Sequence, residues 1–311
     1  ANHEGRSASV IDTATNSVIG TISVGDNPAA VAVNAAGTRA YVANQADDTV
    51  SVIDTASNAV IATVTVGQDP RGLAVTTDGG KVYVANEYDG TVSVIDVATN
   101  TVIDTVDVFG GLAGLMGVAI SGTTAYVTNS YGSFVSVIST ITNTVDDEII
   151  GMGSGLGTGP IAINPAGSRA YVANTSSSSV WVIDTANNVI IASVTVDYGS
   201  RDIAVDSTGT RIYVTGQDLV SVIDASTNSV VDTISTGYGS QGVAIAGTTG
   251  YVTMGGKDTV TVFSTLANSV KSGIGLANPL GVAVNSAGTR AYVTNQNSAT
   301  VSVIDTSTNE V

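Results

Sequence analysis

Residues 39–54 read RAYVANQADDTVSVID, and related forms of this phrase recur along the 311-residue chain. A Tyr-Val pair marks each of seven copies, and successive tyrosines lie 42, 43, 45, 42, 38 and 41 residues apart. The marking tyrosines are Tyr41, Tyr83, Tyr126, Tyr171, Tyr213, Tyr251 and Tyr292. A fixed period of about 40 residues is typical of an array in which each copy forms one supersecondary unit.

Each copy contains four short β-rich segments, which we name strands A to D in chain order. In the first copy, strand A covers 30–33 and strand B covers 39–44, with Gly37 in the turn between them. Strand C covers 49–54 and strand D covers 59–66, again joined by a tight turn. No segment shows the 3.6-residue apolar period of a helix. The sequence therefore predicts an all-β fold with almost no helix.

Seven copies of four antiparallel strands predict a seven-bladed β-propeller, as a single domain over 1–311. The segments count as eight C strands but seven of each other kind. We expect closure by a mixed N-/C-terminal blade, in which 281–305 supply strands A, B and C and 17–24 supply strand D. Whether 7–12 or 300–305 provides the closing C strand stays open. An eight-bladed ring would lack an eighth A and B. Since the chain begins inside a repeat phrase, we also expect a fragment of a longer chain.

The repeated motifs resemble the YVTN β-propeller repeat family. Tyr-Val-Ala/Thr-Asn occurs at 41–44, 83–86, 126–129, 171–174 and 292–295. Val-Ser-Val-Ile-Asp occurs at 50–54, 92–96, 220–224 and 301–305. The resemblance covers nearly the whole chain, and the copies at Tyr213 and Tyr251 depart from it by lacking the terminal Asn. It implies a surface-layer-type propeller that is extracellular, at the cell surface or periplasmic, and it specifies no ligand.

The composition disfavours several classes of function. The net charge of −16 disfavours binding to nucleic acid. No apolar run is long enough for a transmembrane segment, and the absence of cysteine removes disulfides and thiolate chemistry. No cofactor and no metal site are expected, although a calcium site at the acidic triplet 146–148 stays open. The oligomeric state is not determined by the sequence.

Five basic residues lie two positions before a marking tyrosine, and strand C of the same copies ends in aspartate. Because strand B begins where antiparallel strand C ends, we predict cross-strand ion pairs. The predicted pairs are Arg39–Asp54, Lys81–Asp96, Arg169–Asp184, Arg211–Asp224 and Arg290–Asp305. The copies with Thr124 and Thr249 at the basic position have Ser139 and Ser264 at the acidic one. A catalytic ring of carboxylates is the alternative interpretation.

The A–B and C–D turns define one face of each blade, the turn face, and the B–C and D–A loops define the other, the loop face. The turns are nearly uniform along the chain and the loops differ, which favours recognition by the loops. The predicted ligand-binding residues on the loops are Tyr88, Phe109, Tyr131, Tyr198, Arg201, Tyr238 and Arg71. Exposed aromatic rings are typical contacts for proteins or sugars, and the arginines are suited to a carboxylate or an acidic sugar. Alternatively, the rings seal the blade ends and the arginines pair with Asp69 and Asp202.

His3 is the sole histidine, so triads and histidine metal sites are excluded. No motif places two carboxylates across a cleft. These observations favour a non-catalytic interaction module that binds a protein or glycan through the loop face. The alternative is a hydrolase or lyase that uses channel-facing carboxylates with Arg71 or Arg201. A structural role in a surface layer is the third interpretation.

Overall fold

The computed structural model describes residues 1–2, 5–108, 110, 113–151 and 157–311. The described residues contain 29 β-strands, two short 3-10 turns and no α-helix. The protein is an all-β seven-bladed β-propeller of antiparallel blades, six of them four-stranded, which confirms the fold class predicted from the repeats. By its internal contacts the chain divides into two compact units, Ala1–Leu156 and Gly157–Val311.

The first unit contains a two-stranded sheet and blades 1 to 3. The sheet is formed by β1 (Ser7–Asp12) and β2 (Ser17–Ser23). Blade 1 contains β3 (Pro28–Val33), β4 (Arg39–Asn44), β5 (Thr49–Asp54) and β6 (Ala59–Thr65), with a 3-10 turn at Gln45–Asp47. Blade 2 contains β7 (Pro70–Val75), β8 (Lys81–Asn86), β9 (Thr91–Asp96) and β10 (Thr101–Asp107). Blade 3 contains β11 (Leu115–Ser121), β12 (Thr124–Asn129), β13 (Phe134–Ser139) and β14 (Val145–Ile149).

The second unit contains blades 4 to 7. Blade 4 contains β15 (Thr158–Ile163), β16 (Arg169–Asn174), β17 (Ser179–Asp184) and β18 (Val189–Thr195). Blade 5 contains β19 (Ile203–Val205), β20 (Arg211–Thr215), β21 (Leu219–Asp224) and β22 (Ser229–Ser235). Blade 6 contains β23 (Ser240–Ala246), β24 (Thr249–Met254), β25 (Thr259–Ser264) and β26 (Ser269–Gly275), with a 3-10 turn at Gly255–Lys257. Blade 7 contains β27 (Pro279–Val284), β28 (Arg290–Asn295) and β29 (Thr300–Asp305).

The predicted mixed blade is not confirmed. β2 pairs antiparallel with β1, from Ser7↔Ser23 to Asp12↔Ser17, and blade 7 is a three-stranded sheet in the order β27-β28-β29. The physical reason is the short connection between β1 and β2. Only the four-residue segment 13–16 separates β1 from β2, so this hairpin forms with a small loss of loop entropy.

The core of each unit lies between successive sheets. In blade 1, Tyr41 and Val52 pack with Val82, Val84 and Ile95 of blade 2. Strands B and C are the middle strands, and their side chains are buried on both faces of the sheet. This explains why they are continuous runs of apolar and small residues rather than alternating ones. The marking tyrosines of blades 1 to 6 are at most 1% exposed, so their rings serve packing.

Strand D carries a β-bulge in every C–D pair. In blade 1, Ile53 pairs with Val60 and Val52 with Ala62, so Ile61 is the extra residue. Ile103, Ile191 and Val231 take the same position and are exposed, as Ile61 is. A bulge twists an edge strand and interrupts its hydrogen-bonding edge, which protects it against pairing with another chain.

Candidate functional site

Four tyrosines of the loops are exposed to solvent, in contrast to the buried marking tyrosines. Tyr88 is 70% exposed, Tyr131 58%, Tyr198 58% and Tyr238 62%. Tyr88 and Tyr131 lie in the B–C loops of blades 2 and 3. Tyr198 and Tyr238 lie in the D–A loops that lead into blades 5 and 6. Phe109, predicted with them, lies outside the described residues.

In the first unit, backbone hydrogen bonds connect the loops of Tyr88 and Tyr131. Gly114 N donates to Glu87 O at 2.7 Å, and Ser130 N donates to Gly114 O at 2.8 Å. Gly114 has a φ of +107°, and a Cβ there would lie 2.9 Å from the Tyr131 ring. Gly114 therefore allows the Tyr131 ring to approach the backbone of the loop. The two tyrosines occupy equivalent positions on neighbouring blades.

In the second unit, Tyr198 and Tyr238 begin identical Tyr-Gly-Ser segments. The loop of Gln217 lies between them, because Gln217 N donates to Tyr198 O at 2.7 Å and Gly239 N donates to Gln217 O at 2.9 Å. The aromatic side chains are thus presented by loops whose backbones are fixed to one another. Such preorganisation lowers the entropic cost of binding a partner.

Carboxylates also fix the loop face. Asp89 Oδ2 accepts a hydrogen bond from Gln68 N at 2.9 Å, and Asp48 Oδ1 accepts one from Asp69 N at 2.8 Å. In the second unit Asp258 Oδ1 accepts one from Asn278 N at 2.7 Å. These aspartates connect B–C loops to D–A loops, so their carboxylates stabilise the structure of the loops.

Arg71 and Arg201 occupy equivalent positions but differ in their partners. Arg71 forms an ion pair with Glu87, which corrects the predicted alternative pairing with Asp69. Burial raises the pKa of Glu87, the Arg71 charge opposes that rise, and the Asp69 charge adds to it. The sequence did not indicate Glu87 because it belongs to a B–C loop, and these loops differ from repeat to repeat.

Arg201 has no ion pair among the described residues, and its Nη1 donates to Gln241 Oε1 at 3.4 Å. The neighbouring Asp202 is partly buried and accepts hydrogen bonds from Ile203 N and Val243 N, each at 2.9 Å. Burial raises the pKa of Asp202 despite these two hydrogen bonds. The Arg201 guanidinium therefore remains accessible beside Tyr198.

On the turn face, four of the five predicted cross-strand pairs are within ion-pair distance. Arg169 Nη1 lies 2.7 Å from Asp184 Oδ2, and Arg290 Nη1 lies 2.5 Å from Asp305 Oδ2. Arg39–Asp54 and Arg211–Asp224 are paired in the same way. Each aspartate also accepts backbone N–H groups of its own C–D turn, as Asp54 accepts from Ser57.

The prediction for Lys81 and Asp96 is wrong. Lys81 Nζ donates to Thr140 O at 2.7 Å and to Asn143 Oδ1 at 2.8 Å, both in the C–D turn of blade 3. The unbranched lysine side chain extends to the next blade, where its ammonium group donates to two oxygen acceptors. The planar guanidinium of an arginine at this position turns instead to the aspartate of its own blade.

The profile of the YNCE-like beta-propeller family matches residues 21–115. The match covers only this part of the chain, and it is consistent with the β-propeller blades and the Tyr-Val-x-Asn motifs. No curated protein matches the sequence.

Three solved structures similar to this chain show the fold alone, because their sequence identities are low. Kuenenia stuttgartiensis hydrazine synthase has a TM-score of 0.70 and 22% identity, over 90% of this chain and 95% of that one. Dihydro-heme d1 dehydrogenase NirN in complex with DHE has a TM-score of 0.83 and 14% identity, over 99% and 70%. A functionally unknown protein from Desulfotomaculum acetoxidans DSM 771 has a TM-score of 0.73 and 18% identity, over 91% and 96%.

Two cavities of this propeller open on the turn face, where the sequence indicated none. One, of about 440 Å³, lies between blades 1 and 2, and the other, of about 450 Å³, lies between blades 4 and 5.

No helix in the described part of the chain is long and apolar enough to cross a membrane. No group of three or more metal-ligating side chains assembles among the described residues.

Proposed function

We propose that this protein is a non-catalytic interaction module that binds a protein or glycan through its loop face. The observation that carries the proposal is the exposure of Tyr88, Tyr131, Tyr198 and Tyr238 on loops of fixed backbone. A tyrosine ring has a large amphipathic surface and few rotatable bonds, so it provides contact area at a low entropic cost. The accessible Arg201 guanidinium adds a donor for carboxylates beside Tyr198.

The proposed location is extracellular, at the cell surface or periplasmic, as in the exported members that the motifs resemble. A membrane-impermeant label applied to intact cells of the source tests it. Labelling of lysines on the protein in intact cells supports this location, and labelling only after lysis contradicts it.

The test of binding is a glycan and secreted-protein array probed with the full chain. The variant Tyr88→Ala/Tyr198→Ala/Tyr238→Ala should weaken binding about tenfold or more, because stacked or buried aromatic contacts dominate such interfaces. The matched control is Ile141→Ala/Leu266→Ala, which changes two exposed apolar side chains on C–D turns of the turn face. Binding that survives the triple change, or that the control reduces equally, contradicts the proposal.

One observation favours a second function, a carboxylate-based hydrolase or lyase. Glu87 is largely buried next to Arg71 and Asp69, and its pKa is raised, as in a general acid. A panel of polysaccharides and their chromogenic glycosides tests this function. Product formation by the wild type that is lost in Glu87→Gln, with the fold intact, supports it. No product from the wild type contradicts it.

A further inference from the structure

The cavity between blades 1 and 2 lies on the turn face, away from the loops proposed to bind a partner. Thr38, Arg39 and Asp54 of blade 1 form one wall, and Val97 and Ala98 of the blade 2 C–D turn form the other. We name this place junction 1–2, and name the corresponding places between other neighbouring blades in the same way.

Two buried polar groups at junction 1–2 have no hydrogen-bond partner in the described part of the chain. They are the hydroxyl of Tyr41, a residue that is 0% exposed, and Asn100 Oδ1. Tyr41 is on β4 two residues beyond Arg39, and Asn100 ends the C–D turn that contains Val97 and Ala98. A buried polar atom without a partner is costly, and in native proteins such an atom calls for an explanation.

Junction 2–3 shows the same groups with partners. Tyr83 Oη donates to Asn143 Oδ1 at 2.7 Å, and Lys81 Nζ donates to Asn143 Oδ1 and to Thr140 O. In the repeat, Lys81 corresponds to Arg39, Thr140 to Val97 and Asn143 to Asn100. The two turns have one conformation, with φ of +58° at Asn143 and +55° at Asn100. At junction 2–3 the asparagine oxygen therefore accepts from an ammonium group and from the tyrosine hydroxyl, whereas at junction 1–2 the equivalent oxygen and hydroxyl have no partner in the described part of the chain.

The charges that line junction 1–2 leave no unpaired cation to repel an ammonium group. Arg39 is engaged with Asp54 of its own blade. Asp96 directly precedes Val97 and has no ion pair among the described residues, because Lys81 is directed to blade 3. The lining of the cavity thus carries one carboxylate and one guanidinium, and Ala56 on one side with Val97 and Ala98 on the other provides apolar surface.

We propose that junction 1–2 binds a primary ammonium group on an alkyl chain, which donates to Asn100 Oδ1 and to the Val97 carbonyl as Lys81 does at junction 2–3. The ligand is a free alkylamine or the lysine side chain of a partner. The alkyl chain lies against Ala56, Val97 and Ala98.

Junction 4–5 is an internal control. Its cavity is of similar size, and the Tyr171 hydroxyl and Asn228 Oδ1 also lack partners in the described residues. Its walls, however, contain two guanidinium groups, those of Arg169 and Arg211. The second guanidinium group repels an ammonium ion, so this junction should not bind one.

The test is an NMR titration of the full chain with n-butylammonium, n-butylguanidinium and 1-butanol. Millimolar n-butylammonium should give saturable shifts at the Val97 and Ala98 amides and not at Ala225 and Ser226. Arg39→Lys supplies an ammonium within the chain and should weaken binding about tenfold or more. Asn100→Gly removes the acceptor, keeps a residue suited to positive φ and should weaken binding similarly. Asn228→Gly, the matched control at junction 4–5, should bind as the wild type does.

The source of the amine is distinguished by Nα-acetyl-lysine amide. Binding as strong as that of n-butylammonium supports a lysine side chain of a partner, and weaker binding supports a free alkylamine. The proposal is overturned by the absence of saturable shifts at Val97 and Ala98, or by equal shifts at junction 4–5. Equal binding of 1-butanol or n-butylguanidinium, or binding that neither Arg39→Lys nor Asn100→Gly weakens, also overturns it.

Discussion

Asp224 at the end of β21 accepts three hydrogen bonds from its own C–D turn. The donors are the Ser226 hydroxyl at 2.5 Å and the backbone N–H groups of Ser226 and Thr227 at 2.8 and 3.1 Å. The Ser226 hydroxyl and N–H contribute most to lowering the pKa of Asp224 to about 2, and the Arg211 charge contributes least. The pKa of Asp224 is thus lowered more by its hydrogen bonds within the turn than by its ion pair with Arg211.

We predict that Ser226→Ala raises the pKa of Asp224 more than Arg211→Met does, as measured by NMR titration of the Asp224 carboxyl. Because the folded pKa lies below the unfolded value, Asp224 contributes stability above about pH 4. That contribution is lost as the pH falls through about 2. Asp224→Asn should therefore be less stable than the wild type at neutral pH, and the difference should vanish near pH 2. A larger pKa change in Arg211→Met would contradict this order of causes.

The marking tyrosines provide a second prediction at the residue scale. Tyr83→Phe removes the hydrogen bond to Asn143 and should cost about 1 kcal/mol of unfolding free energy. Tyr41→Phe is the matched control, because its hydroxyl has no partner among the described residues, and it should be neutral or stabilising. Both are measured by denaturant unfolding. Equal destabilisation by the two changes would contradict the assignment.

At the scale of the repeat element, the terminal Asn of Tyr-Val-x-Asn has a structural role. Asn44 Nδ2 donates to Thr49 Oγ1 at 3.0 Å and to Ser51 Oγ at 2.9 Å, which fixes the B–C corner. Asn86 and Asn295 make the same two bonds. Blades 5 and 6 have Gly216 and Met254 at this position, and their B–C corners are ordered by other contacts.

Strands and turns were predictable from the sequence because their determinants lie within one repeat. Strands B and C of blade 1 end where the residue pattern ends, at 39–44 and 49–54. The contacts of Lys81 were not predictable, because its partners belong to the next blade. The Arg71–Glu87 pair was not predictable, because Glu87 lies in a B–C loop whose sequence differs between repeats. The β1–β2 sheet was not predicted, because a count of strands does not show whether 17–24 pairs with 7–12 or with the last blade. The cavities depend on gaps between blades, which no single repeat reveals.

Blade 6 offers a prediction about packing between strands B and C. Phe263 replaces the usual Ile of strand C, and Gly250 stands opposite it where Ala40 stands opposite Ile53 in blade 1. A Cβ at Gly250 would lie 1.9 Å from the Phe263 ring. Gly250→Ala should therefore cost about 1–3 kcal/mol by overpacking.

The double-mutant cycle with Phe263→Ile tests the compensation. Phe263→Ile alone should also destabilise, since it removes ring volume and the contact with Tyr213 at a centroid distance of 5.5 Å. Gly250→Ala/Phe263→Ile recreates the Ala–Ile pair of blade 1 and should be more stable than the sum of the single changes predicts. Additive destabilisation in denaturant unfolding would show that the two positions are independent.

At the scale of the whole molecule, the charge distribution dominates. The chain has 26 acidic and 10 basic side chains, and the ion pairs within the described residues engage six of the acidic ones. Many carboxylates instead accept backbone hydrogen bonds in turns and loops, as Asp48 and Asp89 do. Such bonds fix the loops but leave the negative charge uncompensated, so the folded state carries self-repulsion.

We therefore predict that salt stabilises this protein. Raising NaCl from about 10 mM to about 100 mM shortens the screening length from about 30 Å to about 10 Å, which weakens repulsion among carboxylates more than it weakens the short ion pairs. The Tm measured by circular dichroism at neutral pH should rise over this range. The rise should shrink as the pH approaches the range in which carboxylates become protonated, since the net charge then falls. A Tm that falls with added NaCl at neutral pH would show that the ion pairs outweigh the net repulsion.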